Sequence, residues 1–186
     1  RDEILSDTVM VYGNVDEVEL VLNGKTIRRQ TADKGPDSDY IPVPNGGNGK
    51  NLHFPPFTFY GVPKERGVLK AVGYHQGKKV AEYTVKTPGV PERLDITYFE
   101  SGKPATKNDL LIVYVRMLDK QGVLCPVNGI PVELSVQGGE IVGPTSYPLE
   151  AGVASFLVRT GEISKININA TGKGFSTRKS LKVGKE

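Results

Sequence analysis

Three aspartates, Asp33, Asp37 and Asp39, fall within one polar stretch of the chain. Carboxylates so spaced could donate oxygens to calcium, a hard cation that takes roughly 6 to 8 oxygen ligands. Their order completes no calcium-loop pattern, and a solvated acidic loop is the plainer reading. A second cluster follows at His53-Phe54-Pro55-Pro56-Phe57-Thr58-Phe59-Tyr60. Flat aromatic faces stack on sugar rings, so Tyr40, Phe57 and Tyr60 are candidates for a carbohydrate platform beside the loop 33–51. Alternation along a strand would instead turn Phe57 and Phe59 into a core and leave Tyr60 at a rim, the commoner duty of aromatics. Asn169-Ala170-Thr171 has the form of a glycosylation acceptor, meaningful only in a secreted eukaryotic protein.

Other chemistries find little support. The histidines are His53 and His75, and the one cysteine, Cys125, precedes Pro126. There is no Gly-x-Ser-x-Gly elbow and no phosphate-binding glycine loop. Cys125 reads as a small buried or strand-edge residue. One cysteine excludes an internal disulfide and a thiolate-rich metal site, and it leaves the redox compartment open. No cofactor is expected apart from the calcium option. A net charge of +3 over 186 residues makes nucleic acid a poor partner. The basic residues Lys173, Arg178, Lys179, Lys182 and Lys185 read as a solvated strand face. No run reaches the roughly 18 to 20 apolar residues of a membrane-spanning helix, so no membrane insertion is expected. The chain opens at Arg1 with neither Met nor a basic-then-apolar leader, which suggests a fragment or a processed product.

The elements that must position these residues are strands. Val18, Leu20 and Leu22 share one face, with Glu17 and Glu19 opposite. Val132, Leu134 and Val136 alternate with polar neighbours, as do Ala154, Phe156 and Val158, and Ile166, Ile168 and Ala170. Such period-two runs are half-buried antiparallel strands. Leu110–Leu118 is apolar at both parities, which fits a strand whose outer face, at Ile112, Tyr114 and Leu118, meets a neighbouring domain. Asn23-Gly24, Gln76-Gly77, Gln121-Gly122 and Asn128-Gly129 supply turns between runs. Thr87-Pro88-Gly89-Val90-Pro91 cannot belong to a central strand and marks a boundary. The expected fold is all-β: two tandem immunoglobulin-like antiparallel β-sandwiches at 1–88 and 91–186, each of about seven strands.

These pieces also carry a resemblance. Val18-Glu19-Leu20-Val21-Leu22-Asn23-Gly24-Lys25, then Gly67-Val68-Leu69-Lys70-Ala71-Val72-Gly73-Tyr74, Gly77-Lys78-Lys79-Val80-Ala81 and Thr87-Pro88-Gly89 resemble the immunoglobulin-like domain that follows the catalytic barrel in bacterial glycoside hydrolase family 2 enzymes of the β-galactosidase type. The chain departs from that pattern in having no tryptophan before the Gly-x-Leu-x-Ala strand, where it reads Phe57-Thr58-Phe59-Tyr60. Asp109–Val115, Asp119-Lys120-Gln121-Gly122, Pro131–Gly139 and Gly152–Phe156 resemble the bacterial immunoglobulin-like modules of the invasin type.

The resemblance implies an accessory segment of a sugar-cleaving enzyme. Its partner would be the catalytic barrel of the same polypeptide, and its location the periplasm or exterior of a bacterium. Retaining hydrolysis needs two carboxyl groups about 5 Å apart, carried in that family on a barrel of about 250 residues. This chain is too short for such a barrel and lacks its strand–helix alternation, so no catalytic residue is expected here. Two other readings stay open at this point: a carbohydrate-binding module, and a cell-surface adhesin segment of tandem repeats.

Overall fold

The computed structural model describes residues 7–33, 55–99 and 104–184. Among them every regular element is a strand and every pairing is antiparallel. The chain divides into two compact units, residues 1–87 and 88–186.

The first unit holds β1 (Val9–Val11), β2 (Glu17–Leu22), β3 (Lys25–Thr31), β4 (Phe57–Phe59), β5 (Val68–His75) and β6 (Lys78–Lys86). Its main sheet runs β3-β2-β5-β6, opposed by the two-stranded sheet β1-β4. The alternation read along β2 holds: Val18, Leu20 and Leu22 are buried and their neighbours half-exposed. Asn23 and Gly24 take φ of 52° and 81°, and Gln76 and Gly77 take 50° and 75°. These left-handed pairs match the twist of the strands they join, which is why two residues suffice for each hairpin. Val18, Leu20, Phe57, Phe59 and Val62 form the core.

The second unit holds β7 (Arg93–Tyr98), β8 (Leu110–Leu118), β9 (Pro131–Gln137), β10 (Gly139–Ile141), β11 (Ser146–Pro148), β12 (Val153–Thr160), β13 (Lys165–Gly172) and β14 (Phe175–Lys182). Sheets β10-β12-β8-β7 and β11-β9-β13-β14 enclose a larger core. Val113, Val132, Leu149, Val158, Ile166, Ile168 and Ala170 have no exposed surface at all. Registers such as Phe156 opposite Val113 and Ile168 opposite Val136 place inward residues of adjacent strands side by side, the unit of sheet stabilisation.

Two details differ from the sequence reading. Leu118 is buried, because the chain bridges back at Leu124 and covers it. The outer face of β8 is therefore Leu110, Ile112 and Tyr114. The first unit also shows six strands among the described residues, divided four against two.

The segment after Thr87 is tied into the second unit by a buried carboxylate. Asp119, 2% exposed, accepts hydrogen bonds from Gly89 N at 2.7 Å and Val123 N at 2.8 Å. The Gly89 amide above all, with those of Val123, Gln121 and Gly122, holds its carboxyl below the usual range. A depressed pKa stabilises the fold above the unfolded value of about 3.9, and that contribution is lost as pH falls through the folded value. Asp119→Asn should therefore lower the melting midpoint at pH 7. The gap from the unsubstituted chain should narrow as pH falls below about 4, where the unfolded-state aspartate takes up its proton, and vanish only below the folded-state value. Thermal melts between pH 7 and 3 check this; a gap that does not narrow toward pH 3 contradicts it. Cys125 lies beside the same segment, its Sγ 3.7 Å from Gly89 O, and burial raises its thiol pKa. It is a packed thiol rather than a nucleophile.

Candidate binding groove

Of the aspartate and aromatic candidates, the structure describes Asp33, Phe57 and Tyr60. Asp33 closes onto β4: its carboxylate accepts Thr58 N at 3.0 Å and Thr58 Oγ1 at 2.5 Å, and Asp33 N donates to Pro56 O at 2.8 Å. Gln30 Nε2 adds a bond to Thr58 O at 2.9 Å. The side chain thus fastens the end of β3 to β4. Asp37, Asp39 and Tyr40 lie outside the described residues. Among the described residues no group of three or more metal-ligating side chains occurs.

Phe57 corrects the carbohydrate assignment. Its ring is wholly buried, in the core with Val18, Leu20 and Phe59. A ring with no exposed face cannot stack on a sugar. Tyr60, just beyond β4, is 42% exposed. The strand pairing of Phe57 with Val11 and Phe59 with Val9 explains why the odd positions point inward.

The concave surface of this unit lies elsewhere. A groove of about 350 Å³ runs between β1 and the inner face of β5 and β6, lined by Val9, Val11, Leu69, Ala71, Tyr83 and Val85, with Met10 and Tyr12 at its lip. A recess of about 120 Å³ continues it past Val15, Gly73 and Ala81. The combined size is that of a ligand site or a docking cleft. It arises from the unequal sheets: β1 and β4 cover β2 and part of β5 but leave β6 open. Register confirms the face, since Leu69 lies opposite Val85, Ala71 opposite Tyr83 and Gly73 opposite Ala81. Every residue of β6 is exposed. Tyr12 and Tyr83 retain 71% and 72% of their surface. The sequence signal for these two was weak: single tyrosines in short or polar strands, not an aromatic run.

The opposite face of the same sheet is polar. Glu19 accepts Thr26 Oγ1 at 2.6 Å and Tyr74 Oη at 2.7 Å, and Arg29 lies over the Tyr74 ring at 3.8 Å while pairing with Glu17 at 2.6 Å. Hydrogen bonds, first from Thr26 and then from Tyr74, lower the Glu19 pKa, and the Glu19 contact raises that of Tyr74. The same direction recurs at Asp16, Glu82, Asp109 and Glu162, each held down first by its hydrogen-bond donor. A general acid for glycoside cleavage needs the reverse, a carboxyl kept protonated near neutrality. These carboxylates are arranged as anchors.

Comparison with known proteins gives this arrangement a context. Residues 6–81 match a domain of unknown function, DUF4982. A β-galactosidase of Thermoanaerobacter pseudethanolicus is 29% identical over 171 residues, which is 86% of this chain and 21% of that enzyme. A β-galactosidase sequence from Rhizobium radiobacter is 30% identical over 129 residues, 68% of this chain and 92% of that sequence. The solved structure of a family 2 β-glucuronidase superposes on 96% of the chain with a TM-score of 0.74 at 23% identity, and here the likeness is of fold. A family 2 glycosyl hydrolase of Bacteroides cellulosilyticus covers 94% of the chain with a TM-score of 0.72 at 25% identity. The chain spans only 21% and 13% of the length of two full-length curated relatives, from Thermoanaerobacter and Bacteroides ovatus. The chain belongs to glycoside hydrolase family 2, in its β-galactosidase-like branch, as a part of the length of such proteins.

Proposed function

We propose that this chain is a non-catalytic accessory segment of a family 2 glycosidase, two immunoglobulin-like sandwiches that support or space the catalytic barrel of a longer polypeptide. The observation that carries this reading is the asymmetry of the matches. Most of the chain aligns with β-galactosidases, yet it accounts for about a fifth or less of the Thermoanaerobacter and Bacteroides ovatus ones. The carboxylate chemistry supports it, because the resolved shifts all favour the ionised form. The barrel would be the principal partner, and the periplasm or exterior of a bacterium the setting.

The purified 186-residue chain should not hydrolyse nitrophenyl galactosides or glucuronides, whereas the whole parent polypeptide should. Turnover by the isolated chain that disappears on replacing one of its own carboxylates would overturn the reading.

A further inference from the structure

Among the described residues, the first unit is a sandwich with one side left open. Its four-stranded sheet faces a two-stranded one, and β1 and β6, the strands bordering the gap, are both terminal strands of their sheets. The side chains there are those a core would take: Leu69, Ala71, Tyr83 and Val85 from the four-stranded sheet, with Val9 and Val11 facing them from β1. Met10, Tyr12, Val80, Tyr83 and Val85 are between 45% and 72% exposed. An apolar patch rimmed by strand edges marks a protein contact, and an unpaired edge as long as β6 is a hazard unless something covers it.

We propose that the groove between β1 and β6 seats an extended apolar segment of the parent polypeptide lying outside residues 1–186. This rests on the accessory-segment reading above. Sugar is the lesser fit: Tyr12 and Tyr83 could stack on a ring, but the rest of the lining is aliphatic and Glu82 is its one charged side chain, whereas sugar sites need several placed hydrogen-bonding groups. A second copy also fits poorly, since β6 carries Lys78, Lys79 and Lys86 against Glu82 alone, and pairing two such edges sets like charges together. The parent chain is the favoured occupant because two of its relatives are more than four times as long as these 186 residues. A segment of the same polypeptide binds at high effective concentration, so a modest apolar contact is enough to close the gap.

Hydrogen exchange read by mass spectrometry on the 186-residue chain and on the intact parent polypeptide tests this. Peptides covering Val9–Tyr12 and Lys78–Lys86 should exchange at least about tenfold more slowly in the parent, with β2 unchanged. Tyr83→Lys in the parent should restore fast exchange, and the same substitution in the 186-residue chain should leave its melting midpoint in place. Equal rates in chain and parent overturn the proposal. So does slow exchange already present in the chain alone, which would mean that its own residues or a second copy fill the groove. Slowing produced in the chain by added galacto-oligosaccharides would make the occupant a sugar and also overturn it. A barrel that hydrolyses glycosides while the groove stays open would sink this inference and leave the accessory reading standing; a parent without hydrolytic activity would sink the accessory reading, whatever the exchange shows.

Discussion

Phe57→Ala is expected to unfold the first unit at room temperature while the second keeps its sheets. The ring is completely buried, and among the described residues Val18, Leu20, Phe59 and Val62 are the buried side chains that share its core. Truncating a buried phenylalanine costs about 3–5 kcal/mol, and a small domain holds roughly 5–15 kcal/mol in total. A core of five large residues sits at the low end of that range. The three-residue strand β4 has little else to hold it: Val9–Val11 pairs along one side, and Asp33 and Gln30 fasten Thr58. Proton–nitrogen NMR spectra should lose dispersion for Val18, Leu20 and Ala71 while Ile166 and Ile168 keep theirs. A variant that stays folded but loses affinity for a sugar would return Phe57 to the role of a ligand contact.

Gly152→Ala should be nearly as damaging to the second unit. Gly152 has φ of 85°, and a Cβ added there would lie 2.1 Å from the carbonyl oxygen of Cys125. The obstacle is backbone, and the turn cannot slide away from it. Gly152 N donates to Val127 O at 2.8 Å and Gly152 O accepts from Met117 N at 2.9 Å. Left-handed backbone costs an L-residue about 1–2 kcal/mol, and overpacking adds about 1–3 kcal/mol. Gly174→Ala is the control. It has nearly the same φ, 80°, with nothing within 4 Å of the added atom. It should cost only the backbone component, about 1–2 kcal/mol. Urea midpoints measured on both variants separate the two effects. Equal losses would show that the contact with Cys125 relaxes freely.

What could be seen in advance follows from which forces are local. The β2, β9, β12 and β13 faces were legible because burial on one side writes itself as alternation, as at Ile166, Ile168 and Ala170. The Asn23-Gly24 turn was legible because asparagine tolerates positive φ. Ala151-Gly152 and Lys173-Gly174 take the same left-handed geometry, φ 48° then 85° and 48° then 80°, without an asparagine or aspartate to announce it. Strands of three residues, β1, β4, β10 and β11, are too short for a period to register. Leu118 was placed on the wrong face because a return of the chain at Leu124, not its parity, covers it.

The groove was illegible for a different reason. Nothing in Tyr83 or Val85 distinguishes an inward residue that is covered from one that is not. That depends on how many strands stand opposite, which is a property of the assembled sandwich. The aromatic run at 53–60 drew attention by its composition, yet Phe57 and Phe59 are buried in the core. The polar face around Glu19 and Tyr74 was hidden by distance, since the hydrogen-bonded pair lies 55 residues apart in sequence.

Active-site labelling decides whether the bond-breaking carboxylates lie outside these residues. The intact parent polypeptide is inactivated with a fluorinated glycoside that traps the covalent sugar–enzyme adduct, then digested and mapped by mass spectrometry. The adduct is expected on an acidic residue outside 1–186, with peptides from both sandwich units unmodified. An adduct on any Asp or Glu within 1–186 would contradict this.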